Sequence, residues 1–343
     1  MEKKDIRDLS YDELVDYLSK IGEKSFRAVQ IFEWIYKKGA RDFDAMSNIS
    51  AHLKDRLKND LLFGQESIVK KDVARDGTTK FLLEMADGRR IETVLIPAAG
   101  RNTACVSTQV GCKFRCQFCA SGLDGWIRDL SASEIVRQVF FIKNHLKKSA
   151  VTHIVFMGGG EPLDNYDNLL KAIRIINSSF GMNIAARRIT ISTCGLIPQI
   201  KKLALEGLQV ELSVSLHGSN SKIRNILMPV TKKYSLEALI AVCRDYIAKT
   251  NRQITFEYIL IRYLTCSATA AAELKKLLKG MICKLNLIPY NQVKEFPHQP
   301  PSKLEMLAFK QKLSAYGIHA TIRMPRGKGI SAACGQLRHR NNL

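Results

Sequence analysis

Three closely spaced cysteines carry the strongest chemical signal in this chain. They lie in the run Cys112-Lys113-Phe114-Arg115-Cys116-Gln117-Phe118-Cys119, a C-x3-C-x-aromatic-C spacing that puts three thiolates within eight residues. A closed structural zinc site takes four ligands, commonly from two paired knuckles. No second pair of Cys or His at matching spacing occurs here. Three ligands suit a centre that keeps one position open, as in a [4Fe–4S] cluster whose remaining iron takes an external ligand. The chain has nine cysteines, an odd number with one tight cluster. In a reducing compartment that reads as metal binding or thiol chemistry rather than a disulfide framework.

Other polar groups fall at regular places in a repeating pattern. From about residue 101 the chain alternates strand-like and helix-like stretches. Strands are expected over 104–108, 153–157, 188–192, 210–215, 254–260, 284–288 and 319–324, with helices over 133–147, 165–177, 235–249 and 303–315. Ser131 and Glu134 form a capping-box signature for the first helix. Such alternation predicts an α/β fold with a parallel sheet and crossover helices, either an open sheet or a barrel. Gly158-Gly159-Gly160-Glu161, Ser192-Thr193, Ser215-Leu216-His217 and Asn291 each sit just past a strand's carboxyl end. Ligands bind at that edge of parallel sheets, so these segments are expected to converge on one mouth. Any one of them is also an ordinary turn former.

The preceding residues differ in character. Residues 5–62 read as a small basic helical region, with Ala28, Val29, Phe32, Ile35 and Tyr36 at helical spacing and Gly39 as a C-terminal cap. Residues 66–97 switch to a period of two, with Asp76-Gly77 and Asp87-Gly88 as turns in a short antiparallel sheet. The whole chain of 343 residues has a formal charge of +21, which favours a polyanionic partner, nucleic acid first. Solubility alone is the plainer reading of that charge. No apolar run of about 18 residues suggests a membrane span, and the polar start carries no secretory signal, so a cytoplasmic protein is expected.

The cysteine spacing resembles that of radical S-adenosylmethionine (SAM) enzymes, and Met157-Gly158-Gly159-Gly160-Glu161-Pro162 is similar to their Gly-Glu motif. The resemblance extends along almost the whole chain, through Phe26 to Gly39, Glu92-Thr93-Val94, Cys105 to Cys112, Ser215-Leu216-His217 and Ala332-Ala333-Cys334-Gly335-Gln336-Leu337. Together these look like the RlmN/Cfr family of radical methyl synthases. Pro162 and Val110 look more like the RlmN branch, which methylates adenine carbon 2 in 23S ribosomal RNA and some tRNA. The C8-modifying Cfr branch is the nearest alternative. The resemblance implies a partial parallel (β/α)6-type radical SAM barrel over 101–343. It also implies a basic helical RNA-binding domain over 1–64 and an antiparallel β extension over 65–100.

The same resemblance implies site roles. Cys112, Cys116 and Cys119 hold one [4Fe–4S] cluster. Gly160, Glu161, Ser192, Ser215, Leu216, His217 and Asn291 contact SAM, of which two molecules are used per turnover. Cys334 takes a methyl from the first. A radical generated from the second removes hydrogen from that methyl, which then adds to the base. Cys105 attacks Cys334 sulfur to release the product and leave a transient disulfide, and Glu92 is the general base. Such chemistry suits adenine carbon 2, which is too electron-poor for polar methyl transfer and needs a cofactor-borne radical. A flavodoxin- or ferredoxin-type electron donor and a monomeric state are implied too.

Without the resemblance, Glu92 reads as a solvated strand carboxylate and His217 as a core histidine. Cys105 and Cys334 then read as small buried hydrophobes, as Cys194, Cys243, Cys266 and Cys283 do in any case. Arg187-Arg188, Lys201-Lys202, Lys232-Lys233 and the Arg323 to Lys328 segment are candidate RNA contacts. Two positions depart from the family pattern: Gly329 stands where an acidic residue is usual, and Gly159 where Met is usual. A methylthiotransferase would carry further cysteines before Cys105, and none is present. A non-catalytic iron–sulfur or zinc RNA-binding module leaves Cys105 and Cys334 without a task.

Overall fold

The structure is a computed structural model that describes residues 3–64, 67–146 and 149–338. Its centre is one ten-stranded sheet. We number the strands β1 (Ser67–Val73), β2 (Thr79–Glu84), β3 (Arg90–Ala98), β4 (Arg101–Cys105), β5 (His153–Phe156), β6 (Ile189–Thr193), β7 (Glu211–Ser215), β8 (Ile254–Leu260), β9 (Cys283–Pro289) and β10 (Ala320–Ile322). Spatial order equals chain order, running from β1 to β10 without closing. Strands β1 to β4 pair antiparallel and β4 to β10 pair parallel. Six crossovers therefore join seven parallel strands into a partial barrel.

Sequence chemistry accounts for these elements. Ile254–Leu260 is buried at every position, as a strand covered on both faces requires. The crossover helices start at polar caps: Ser131 and Glu134 exchange side-chain and backbone bonds of 3.3 and 2.9 Å ahead of Ala132–Leu146. Ser302 and Glu305 do the same ahead of Lys303–Ala315. The first helix begins one residue before its expected start; residue 147, its expected end, lies outside the described residues. The first strand differs more, ending at Cys105 rather than 108. Beyond Cys105 the chain turns its backbone bonds away from β3, towards β5 and the glycine turn that follows β5.

The antiparallel segment is not a sheet of its own. Val94 of β3 pairs with Cys105 of β4, which makes β1 to β3 the continuation of the parallel sheet. Its hairpins close at Gly77 and Gly88, both with left-handed φ, each preceded by an Asp whose carboxylate accepts from the main chain two residues on. The N-terminal helices, Tyr11–Lys20, Phe26–Phe32 and Ala51–Asp60, dock on the crossover helices. Asp8 accepts from the Ser133 N–H at 2.7 Å, and Tyr11 stacks on Phe180 with ring centres 5.1 Å apart. The second N-terminal helix continues as wider turns over Glu33–Lys38 and ends at Gly39, as its spacing predicts. Among the described residues no helix is long and apolar enough to cross a membrane.

Gln138 ties the first crossover helix to the chain beyond β4. Its side-chain oxygen accepts from the Ser107 N–H and its amide donates to the Ser107 carbonyl, both at 2.8 Å and fully buried. Gln138→Leu leaves two buried backbone groups unpaired and is expected to cost about 2–4 kcal/mol. Urea unfolding checks this, and a loss below about 0.5 kcal/mol would show that Ser107 finds other partners.

Candidate functional site

A cavity of about 160 Å³ opens at the carboxyl ends of the parallel strands. It gathers side chains from widely separated parts of the sequence. Cys112, Cys116 and Cys119 line it, as do Gly160, Glu161, Ser192, Ser215, His217, Asn291 and Cys334. Leu216 has a fully buried side chain outside the lining, and its N–H donates to the Glu257 carbonyl at 3.0 Å. Arg224 holds two strand ends together: its Nη2 donates to the carbonyls of Cys194 and Ser215 at 2.7 and 3.3 Å.

The glycine turn after β5 presses against the segment that leads to the cysteines. Gly158 N–H donates to Val106 O, Thr108 N–H to Gly159 O, and Gly159 N–H to Ser107 Oγ, at 2.7–3.1 Å. A Cβ on Gly158 would lie 2.6 Å from Ser107 Oγ, and one on Gly160 2.6 Å from Gln109 Cβ. Gly160 also has φ +97, so both steric reasons require glycine there. Gly159 is different, since a Cβ there meets nothing closer than 3.4 Å, and Gly329 has open space around it. At both positions the space would admit a side chain, so packing does not require glycine there.

The cysteine loop leaves the short strand Gln109–Gly111. Cys112 N–H donates to Gly125 O at 3.0 Å, and Cys119 N–H to Cys116 O at 3.0 Å, which folds the three sulfurs towards the cavity. Burial pushes the Cys112 thiol up to about 12, and raises Cys116 and Cys119 as well. Thiols in that state become ligands only beside a strong positive centre that displaces their protons. Among the described residues no three His, Cys, Asp or Glu side chains are placed to hold a single metal ion. An iron–sulfur cluster, whose thiolates bind different irons, needs no such convergence. Three free cysteines on one cavity wall fit such a cluster.

Glu161 is buried beside them. Its Oε2 accepts from Cys194 N–H at 2.7 Å and its Oε1 from Leu163 N–H at 3.1 Å. Desolvation outweighs these bonds and raises the carboxyl to about 7. A carboxyl poised in this way gains from a ligand ammonium. His217 is also buried, in a left-handed conformation (φ +52), and its Nδ1 accepts from Ile259 N–H at 3.1 Å. Burial, followed by the charge of Arg224, lowers it to about 3, so the ring is neutral and offers Nε2–H.

Cys334 reaches the cavity on a loop latched to the cysteine loop. Ala120 N–H donates to Gly335 O, Ser121 Oγ to Leu337 O, and the Arg338 guanidinium to both Asp124 oxygens, at 2.7–2.8 Å. Asn291 Nδ2 donates to the Cys334 carbonyl at 3.1 Å. Cys334 is exposed, whereas Cys105 lies in a small apolar cluster with Val94, Val155, Ala332 and Leu337. Burial pushes the Cys105 thiol up to about 12, and the charge of nearby Cys334 adds to this. Glu92 stands apart from the main cavity. It lines a smaller one with Ser107, Gly159 and Arg338, accepting from Lys80 Nζ at 2.8 Å and Arg338 N–H at 2.9 Å.

Several cavity residues carry no motif. Glu257 is 3% exposed in the middle of β8, where a charge inside the run Ile254–Leu260 is the signal that sequence reading passed over. Arg323, grouped in the sequence with surface cations, lines the cavity instead. Cys194 is buried as expected but also forms part of the lining. The pairs Arg187-Arg188, Lys201-Lys202 and Lys232-Lys233 are exposed, as RNA contacts or solvated faces both require.

Residues 4–62 match the ribosomal RNA large subunit methyltransferase N-terminal domain, and residues 106–267 match the radical SAM superfamily. The chain is 46% identical to a probable dual-specificity RNA methyltransferase RlmN of Clostridium novyi, over 99% of this chain and 100% of that protein. It is also 46% identical to the protein of that name from Thermoanaerobacter sp., over 98% of each. The crystal structure of a radical SAM methyltransferase from Sphaerobacter thermophilus superposes with a TM-score of 0.93. That protein is 43% identical, over 99% of this chain and 100% of its own.

The Glu161 environment sets a pH dependence. Its folded-state pKa of about 7 exceeds the ordinary 4.5, so the native state holds the proton more tightly between those values. The cofactor-free protein therefore loses stability through this group as pH rises from about 4.5 to 7, by up to about 3 kcal/mol. Denaturant unfolding at pH 5 and pH 7.5 should show Glu161→Gln gaining on the wild type at the higher pH. An equal difference at both pH values would refute the assignment.

Proposed function

The chain belongs to the RlmN family of radical SAM RNA methyltransferases, and from that premise we propose that it methylates carbon 2 of adenine in 23S ribosomal RNA and in a subset of tRNA. The observation that carries this reading is that Cys334 and the cysteine triad face one cavity, with Cys105 packed behind the Cys334 loop. A family member of this kind uses a [4Fe–4S] cluster and SAM. When bound, these supply a methyl donor and a one-electron route to an otherwise inert C–H bond.

The chain's own residues divide the remaining work. Cys112, Cys116 and Cys119 hold the cluster. Glu161 and the Gly160 backbone receive the cofactor's amino group, a task suited to a buried carboxyl that gains from a cation. Ser192, Ser215, His217 with the Leu216 backbone, and Asn291 line the space for the rest of it, in two successive molecules per turnover. Cys334 accepts a methyl as a thiolate and presents it to the base. Glu92, held by Lys80 and the Arg338 N–H, takes the proton that the base gives up. Cys105 displaces the methylated base from Cys334 sulfur, and an external thiol reopens the resulting disulfide.

The net charge of +21 and the exposed basic pairs serve the RNA backbone, with the N-terminal helical region as an added contact. A small flavodoxin- or ferredoxin-type protein supplies electrons to a monomeric, cytoplasmic enzyme. Mutation of the two thiols tests the scheme. Cys334→Ala is expected to abolish methylation, and Cys105→Ala to accumulate a covalent protein–RNA adduct, both read by denaturing gel and mass spectrometry of the RNA. Free, fully methylated RNA from either variant would overturn it.

A further inference from the structure

Arg323 follows β10, its N–H fixed to Leu287 O at 2.8 Å and its Nη1 resting 3.6 Å from Met157 Sδ. It lines the cavity with Glu257 and Cys334. Glu257 is anchored from two strands, its Oε1 accepting from Ser213 Oγ and Asn286 Nδ2, each at 3.1 Å. Its Oε2 is buried with no hydrogen-bond partner. A buried carboxylate left half-paired needs an opposite charge nearby. Arg323 is the cation that shares the cavity with it: burial raises the Glu257 carboxyl and the charge of Arg323 pulls the other way. The Met157 side chain on which Arg323 rests packs in turn on the apolar cluster that holds Cys105.

Cys105 has an apolar wall. Val94 from β3, Val155 from β5 and Ala332 and Leu337 from the C-terminal loop pack on it. Burial and the charge of Cys334 oppose ionisation of Cys105, and the charge of Arg323 favours it. We infer that Arg323 is a positioning residue of the release step: its guanidinium, set opposite Glu257, stabilises the thiolate with which Cys105 attacks the Cys334 sulfur.

This inference rests on the thiol scheme proposed above. In that step a sulfur–sulfur bond forms between Cys105 and Cys334 while the bond from Cys334 sulfur to the methylene carbon breaks. The bonding pair goes to that carbon, which takes a proton and becomes the methyl of the product. The two sulfurs are oxidised by two electrons and the carbon is reduced by two, so no outside oxidant is needed. Only the attacking thiolate is in short supply, because burial opposes its formation.

The test compares wild type, Arg323→Gln and Arg323→Lys holoenzymes, with Cys105→Ala as the trapped reference. Adduct formed with an RNA fragment is followed by denaturing gel at several pH values. In Arg323→Gln the adduct is expected to form and then decay about tenfold more slowly at pH 7, the rate recovering with rising pH. Arg323→Lys, which keeps the charge, restores most of the rate. Without cofactors, the pH midpoint for iodoacetamide labelling of Cys105, read by peptide mass spectrometry, moves up in Arg323→Gln and back in Arg323→Lys. Adduct decay at the wild-type rate in Arg323→Gln, or a slow rate that ignores pH, overturns the assignment. So does loss of adduct formation in both Arg323 variants. If Cys105→Ala traps no adduct, the underlying thiol scheme itself fails, and the Arg323 role falls with it.

Discussion

Everything at the mouth of the sheet depends on two stretches of backbone lying closer than side chains permit. Residues 106–109 and 158–160 exchange main-chain hydrogen bonds, and a Cβ at Gly158 would lie within 2.7 Å of Ser107 N. The first stretch leads to the cysteine loop and the second to Glu161. Their relation is thereby set by main-chain bonds, which tolerate little drift. Gln109 strengthens the join: its Oε1 accepts from Glu161 N–H and its Nε2 donates to Asp129 and Asp164, all at 2.8 Å. The start of the cysteine loop and the buried Glu161 carboxyl are thus one rigid unit.

Cys334 enters that unit by a different kind of contact. Its loop is held by polar bonds to the cysteine loop and to Asn291, and by Ala332 and Leu337 in the small apolar cluster around Cys105. The Arg338–Asp124 pair is about one-third exposed on both sides and adds little stability by itself. The buried bonds, Ser121 Oγ to Leu337 O and Ala120 N–H to Gly335 O, carry more because their loss would strand groups away from water. Such a latch leaves the Cys334 sulfur at the cavity instead of sealing it in a core.

Much of this was legible in the sequence, because periodicity and capping report local structure faithfully. The strand and helix alternation, the glycine turn and the polar residues past each strand end all reflect short-range rules, and their convergence follows from parallel topology. What could not be read was long-range. Nothing local says that Val94 pairs with Cys105 and so fuses the antiparallel hairpins to the barrel. Arg323 looked like one more surface cation, since direction into or out of a cavity is decided by β9 and by Met157, not by neighbours in sequence. Glu257 was visible as a charge in an apolar strand, yet its meaning needs the opposing Arg323. Glu92 is a clear motif residue whose position, walled off with Lys80, only the folded chain defines.

Charge is sorted between outside and inside in a way that matters for an RNA substrate. The chain as a whole is strongly cationic, and its basic pairs are exposed, so a polyphosphate backbone is drawn to the surface. The cavity instead contains the buried carboxyls of Glu161 and Glu257. Arg224, the nearby buried cation, already donates to Cys194 O, Ser215 O and Thr231 Oγ1. Arg323, opposite in charge to these carboxyls, also lines the cavity. A phosphate entering this space would give up its hydration to a largely buried lining, whereas a neutral base would lose far less. Charge at the surface and the cost of desolvation within thus act on different parts of a nucleic acid, the first on its phosphates and the second sparing its neutral bases.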